Sequence, residues 1–263
     1  MLLSREIENN LLRLRETINK HYQNSVDINY EKYLTQTAIF SLFNQNQGAL
    51  TLIFDIKNFK IVNISKNITT FTGYNRKELG ENITLSFVSL LAPEHASLLN
   101  VFATWIQKVL KNIPKNYGVE HFFNCWGVKF YNKSKETMKW HISALPLELD
   151  AEGKPLLLFL SLQDITHLMK GDDYWIRGVL GKEEKRIFFY HSGENKTVEQ
   201  EILSEREKEV LKYIIKGLNT KQIAGVLDIS PNTVDNHRRN MLARTGTRDT
   251  TALIHLCKLT GII

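Results

Sequence analysis

Between Ser204 and Arg244 the sequence opens three short amphipathic segments in succession, and each carries its own start signal. Ser204-Glu205-Arg206-Glu207 fits a capping box, in which the Ser204 hydroxyl meets a free helix N–H and Glu207 reaches back. Val210, Leu211, Ile214, Ile215 and Leu218 then form an apolar stripe, and Gly217 supplies a left-handed stop. Asn219-Thr220-Lys221-Gln222 repeats the logic for a second helix that buries Ile223, Ala224 and Leu227. Asp228-Ile229 turns tightly, Ser230 caps, and Pro231 stands at the first helical position, where its missing N–H is harmless. A third helix is expected from Pro231 to about Arg244.

Two short helices joined by so tight a turn pack only over a small residue. Ala224 supplies it, with Leu227, Ile229 and Val234 filling the wedge. This is a helix-turn-helix, whose second member enters the major groove. At about 100° per residue from Val234, the core side holds Val234, His237, Met241 and Leu242. The outward side holds Asn232, Asn236, Arg239, Asn240 and Ala243, with Asp235 on its flank. Arg and Asn make bidentate contacts to guanine and adenine edges, so Asn232, Asp235, Asn236, Arg239 and Asn240 are the expected base-contacting residues. Thr220, Lys221, Thr233, His237, Arg238 and Arg244 stand where phosphates are met, contacts that position a protein without selecting sequence. From 232 to 248 four arginines oppose the one acid, Asp235, which is the charge footprint of a duplex-binding element.

Leu203-Ser204-x-Arg206-Glu207-x-Glu209-Val210-Leu211, then Gly217 to Ala224, then Ser230-Pro231-Asn232-Thr233-Val234-Asp235-Asn236-His237-Arg238, resembles the LuxR-type (FixJ/NarL-like) DNA-binding domain over residues 200–263. The resemblance implies an all-α four-helix domain that binds double-stranded DNA as a homodimer. It also implies that a final helix, about Asp249–Leu259, makes the dimer contact through Ala252, Leu253 and Leu256.

The rest of the chain has a different texture. At 263 residues the length suggests about two domains. With 43% apolar and 24% charged residues, a disordered or fibrous chain is excluded. The net charge of +6 permits an anionic partner without demanding one. Cys125 and Cys257 lie too far apart for a disulfide framework or a metal-ligand spacing. The longest apolar run, Leu156–Leu162 with Ser161 inside it, is far short of the ~18 residues a membrane helix needs. Arg5, Glu6 and Glu8 leave no secretory segment, so a cytoplasmic protein with reduced thiols is expected. Within residues 1–29, the stripe Leu3, Ile7, Leu11, Leu14, Ile18 and Tyr22 marks an amphipathic helix, either a cap on its own domain or a parallel coiled coil between protomers.

Residues 30–167 read as two strands (Ala49–Ile56, Lys60–Ser65), short helical pieces, a helix over Pro93–Lys111, and three extended runs (Tyr117–Tyr131, Met138–Leu149, Leu156–Thr166). Pro114, Asn132-Lys133 and Ala151-Glu152-Gly153-Lys154 supply the turns. That order makes an α+β domain: a five-stranded antiparallel sheet with helices on one face. Phe71-Thr72-Gly73-Tyr74-Asn75-Arg76-Lys77-Glu78-Leu79-Gly80 resembles the F-x-G-Y-x-x-E-E-L stretch of PAS domains, which implies a sensory and dimerisation role and, in some members, a small-molecule ligand between sheet and helices. Residues 168–199 read as a linker, with a possible hairpin from Tyr174–Leu180 and Arg186–Tyr190.

No flavin-photochemical cysteine motif is present, and Cys125 in its aromatic strand reads as a buried, inert thiol. His95, His121 and His141 are haem-ligand candidates by region alone, and Phe71, Phe87, Phe102, Trp105, Phe122 and Trp126 read as core before ligand box. No cofactor or metal site is evident. Neither a nucleophile elbow, a phosphate loop nor a metalloprotease motif occurs, so no enzyme is expected. A transcription regulator with PAS input and helix-turn-helix output is the leading expectation. The alternative is a protein–protein interaction module whose basic helix docks an acidic partner.

Overall fold

The computed structural model describes residues 3–23, 25, 28–31, 33, 48–108, 122–181 and 185–263. The chain opens with helix α1 (Arg5–Tyr22), whose N-cap Ser4 accepts the Ile7 amide. Its stripe of Ile7, Leu11, Leu14, Ile18 and Tyr22 is buried in the chain's own main core, so the helix is a cap on its domain and that stripe is not free for a coiled coil. It lies against helix α4 (Ser97–Lys108). Polar rungs set the register: Asn10 Nδ2 donates to the Ala96 carbonyl (3.0 Å), Asn100 Nδ2 donates to Asn10 Oδ1 (2.7 Å), and Gln107 bonds Thr17. Buried amides are tolerated only when so paired.

Strands β1 (Leu50–Asp55) and β2 (Lys60–Ile64), the two expected strands, pair as an antiparallel hairpin. Asp55 Oδ1 accepts the Asn58 amide at 2.8 Å, and Phe59 takes the left-handed conformation (φ 47°) that closes the turn. Two short helices, α2 (Ile68–Thr72) and α3 (Ile83–Val88), and a 3₁₀ turn at Pro93–His95 lead into α4. The expected helix over Pro93–Lys111 is therefore divided near Ala96, and its last residues lie outside the described ones. Strands β3 (Phe122–Tyr131), β4 (Thr137–Leu149) and β5 (Pro155–Asp164) match the three extended runs, except that 117–121 lie outside the described residues.

The sheet corrects the five-strand expectation. Among the described residues it has eight strands, ordered β2-β1-β5-β4-β3-β6-β7-β8, every pair antiparallel. The three additions are β6 (Trp175–Leu180), β7 (Arg186–His191) and β8 (Lys196–Val198). The proposed 174–190 hairpin thus exists, but it is no free linker: β6 pairs with the edge of β3 from Phe122↔Val179 to Trp126↔Trp175. An unpaired edge next to apolar strands with alternating side chains is satisfied by whatever strand can reach it. The polar turn at 192–195 leads from β7 into β8.

One face of the sheet and the helices enclose the main core. The opposite face, at its β3–β6 end, shares a second core with the C-terminal helices α5 (Glu205–Ile215), α6 (Thr220–Leu227), α7 (Pro231–Thr245) and α8 (Thr250–Leu259). Toward β1 and β5 that face is covered by a smaller cluster including Tyr33. No helix among the described residues is long and apolar enough to cross a membrane.

Candidate nucleic-acid interface

The three helix starts form as their local sequences dictate. Ser204 and Glu207 complete a capping box on α5, with the Ser204 amide donating to Glu207 Oε2 at 2.8 Å. Asn219 and Gln222 complete one on α6 (3.0 and 2.9 Å). Ser230 caps α7, with Pro231 at its first position. Asp228 ends α6 in the left-handed conformation (φ 51°), which a short polar side chain tolerates better than most. Val234 and Met241 are wholly buried, shelving α7 on Ile223, Ala224, Val210 and Leu211.

That shelving decides what α7 shows to solvent. Asn232, Asp235, Asn236, Arg239 and Asn240 are all exposed, in one row along the outward side. They are also partly organised. Thr220 Oγ1 donates to Asp235 Oδ1 (3.1 Å), tying α6 to α7, and an Arg239 guanidinium N–H bonds Asn236 Oδ1. Of the expected phosphate contacts, Lys221 is exposed, while Thr220, Thr233, His237 and Arg238 are half-buried around the row. Thr233 shares its hydroxyl with Ser230 (2.9 Å), and Arg238 Nε is buried without a partner among the described residues.

Two assignments change. Arg244 was expected at a phosphate, but its guanidinium donates to Glu207 Oε2 at 2.8 Å, a carboxylate that is 3% exposed and already fastens Ser204. Arg244 therefore ties the end of α7 to the start of α5. Ala252, Leu253 and Leu256, expected at a dimer contact, are buried inside this chain at 2%, 0% and 0% exposure. A helix stripe that fills its own domain's core has no surface left for a second copy. The solvent side of α8 carries Thr251, His255 and Lys258 instead.

The sequence did not indicate what holds these helices in place. Trp126 on β3 and Trp175 on β6 stack at 6.1 Å and 8° in the second core, and Trp126 Nε1 donates to the Thr245 carbonyl at the end of α7 (3.2 Å). Asn124 and Arg177 both donate to the Thr260 carbonyl at the end of α8. Arg177 also grips Glu201 with two bonds, at 2.9 and 2.6 Å. The available signal was alternation: Asn124 and Arg177 are polar residues amid apolar ones on strands that otherwise read as buried.

On the other face of the sheet an apolar cavity of about 250 Å3 lies between sheet and helices, walled by residues including Leu52, Phe102, Trp105, Phe123, Cys125 and Ile176. From the aromatic set, Phe87, Phe102 and Trp105 reach it, whereas Trp126 faces the C-terminal helices. Burial pushes the Cys125 thiol far above its ordinary range, as expected of an inert cysteine. The histidines have structural work. His95 bridges the Lys129 amide and the Asp172 carbonyl, and His141 bonds Asn124 Oδ1 at 2.7 Å. His121 lies outside the described residues.

Residues 201–257 match the family model of bacterial regulatory proteins, luxR family, and residues 49–167 match a PAS domain model. The transcriptional regulatory protein FixJ of Rhizobium meliloti (strain 1021) is 42% identical over 59 residues, covering 22% of this chain and 29% of that protein. The nitrate/nitrite response regulator protein NarP of Escherichia coli (strain K12) is 47% identical over 51 residues, covering 19% and 24%. The chain thus spans less than a third of the length of these relatives. A solved VqmA–ligand–DNA complex of Vibrio cholera superposes over 84% of this chain and 86% of that one, at 18% identity and a TM-score of 0.33, too low to bear on the fold.

Proposed function

We infer that this chain, which carries a PAS domain and behind it a luxR-family helix-turn-helix domain, is a sequence-specific DNA-binding regulator of transcription. The observation that carries the reading is the row Asn232, Asp235, Asn236, Arg239 and Asn240, exposed together on a helix that Val234 and Met241 hold from behind. In this reading those five side chains meet base edges in the major groove, with Lys221, Thr220, Thr233, His237 and Arg238 along the phosphates. The Asn236–Arg239 and Thr220–Asp235 bonds support it by holding the row in shape before duplex arrives. FixJ is a transcriptional regulatory protein and NarP a response regulator, which favours the same reading and gives no ground for assigning catalysis.

We assign residues 200–263 to output. Residues 1–29, 30–167 and 168–199 form the input side, with 168–199 built into its sheet as well as bridging to output. Binding as a homodimer to two half-sites about one helical turn apart fits so small a contact row. The second copy would be met elsewhere than at Ala252, Leu253 and Leu256. The cavity suits a compact uncharged molecule, somewhat larger than the guest of a ~150 Å3 apolar cavity.

Binding of the full chain to selected and random duplexes tests the reading. Arg239→Ala is expected to lower affinity for the selected site by ~1–3 kcal/mol and to leave random duplex almost unaffected. Affinity should also fall steeply with salt, in proportion to the phosphates neutralised. Salt-sensitive binding to an acidic protein, with no preference among duplexes, would favour the interaction-module alternative and overturn this one.

A further inference from the structure

Strands β3 and β6 serve two regions at once. Side chains alternate between the faces of a sheet, so a cross-strand pair looks one way and its neighbours look the other. Cys125 stands opposite Ile176, and both wall the apolar cavity. The pairs on either side, Asn124↔Arg177 and Trp126↔Trp175, face the C-terminal helices. Three of those four side chains, Asn124, Trp126 and Arg177, hold the C-terminal ends of α7 and α8 through the Thr245 and Thr260 carbonyls, and the Trp175 ring stacks on Trp126. Helix-end carbonyls have no partner of their own and accept such bonds readily.

The grip is tight. Gly246, which ends α7 at φ 67°, lies so close to the Trp175 ring that an added Cβ would sit 2.0 Å from it. Two backbone bonds cross the junction, Lys170 N to Gly246 O (2.7 Å) and Arg248 N to Leu168 O (3.0 Å). On the cavity side, a Cβ at Gly178 of β6 would meet the Trp105 ring at 2.5 Å. Close-packed elements of this kind pass displacements on, having no void in which to absorb them.

We propose that the β3–β6 pair is the transmission element of this protein: the volume filled at Cys125 and Ile176 sets how firmly the ends of α7 and α8 are held on the opposite face. The contacts reach only the ends of the helices and leave the outward row of α7 exposed, so the device acts on the helix's position without covering its surface. The proposal does not depend on what that row binds.

Amide hydrogen exchange of the full chain tests it, read at Lys170 and Arg248, whose backbone amides donate across the junction. Gly246→Ala, which must disturb the Trp175 contact, serves to show that both amides report release. Cys125→Leu fills cavity space beside the junction; Leu52→Phe fills space in the same cavity from β1, three strands from β3. The expected result is exchange at both amides accelerated about tenfold or more by Cys125→Leu and unchanged by Leu52→Phe. If Cys125→Leu does not fold, Cys125→Val carries the same comparison with a smaller insertion. Unchanged exchange in the folded Cys125 variant, or equal acceleration by Leu52→Phe, would overturn the proposal.

Discussion

Arg244 is the residue at which a structural and a DNA-contacting role part most cleanly. Its guanidinium donates to Glu207 Oε2 at 2.8 Å, and that oxygen also accepts from the Ser204 amide (2.8 Å) and hydroxyl (2.9 Å). A hydrogen bond to a charged group contributes about 1.5–3 kcal/mol. The Arg244 side chain is 52% exposed, so water replaces part of what is lost and the lower end applies. Arg244→Ala should therefore destabilise the protein by ~1–1.5 kcal/mol. Glu207→Ala removes the cap as well and should cost about 2–3 kcal/mol. Because both changes break one bond, their effects should fall short of additive by about 1 kcal/mol in a double-mutant cycle. Urea unfolding followed by far-UV circular dichroism gives the stabilities. The salt dependence of duplex binding gives the other half: a lost phosphate contact flattens the slope of log K against log salt by about 0.9, as Lys221→Ala is expected to do. Arg244→Ala should leave that slope as it was. A flattened slope with unchanged stability would refute the tether and return Arg244 to the phosphates.

The N-terminal stripe offers a simple contrast on adjacent residues. Leu11→Ala, at a buried position against α4, should cost ~2–4 kcal/mol, and Leu12→Ala, 59% exposed, less than about 0.5; equal losses would show that the helix is not docked as described. Acid should loosen the junction between sheet and C-terminal helices. Burial holds His141, bonded to Asn124, at a pKa of about 4, below its ordinary 6.5, so the folded form binds fewer protons. Stability is then complete above pH 6.5 and is lost as pH falls toward 4, by about 2 kcal/mol at pH 5. His141→Gln should flatten that dependence between pH 7 and pH 5, and an equally steep profile in the variant would place the acid sensitivity elsewhere.

Much of the molecule is legible in the sequence where the physics is local. The caps at Ser204, Asn219 and Ser230 and the stop at Gly217 act within four residues of themselves, and each formed as read. The strands from Leu50 to Asp164 were marked by their turns, such as the Asp150–Lys154 turn, where Asp150 Oδ1 accepts the Lys154 amide. The 174–190 hairpin was visible as a pair, but its docking was not, because nothing in those residues says that β3 offers a free edge some fifty positions earlier.

The side-chain row of α7 follows from helical geometry and an apolar stripe, so the amino-acid order alone settles which residues point away from Val234 and Met241. It also separates the helical C-terminal region from the sheet before it. What the α8 stripe covers, which acid holds Arg244, and that the two tryptophans clasp helix ends were decided only when distant segments met. Periodicity tells a side chain which way to face, whereas its partner depends on which surface the rest of the chain brings to it.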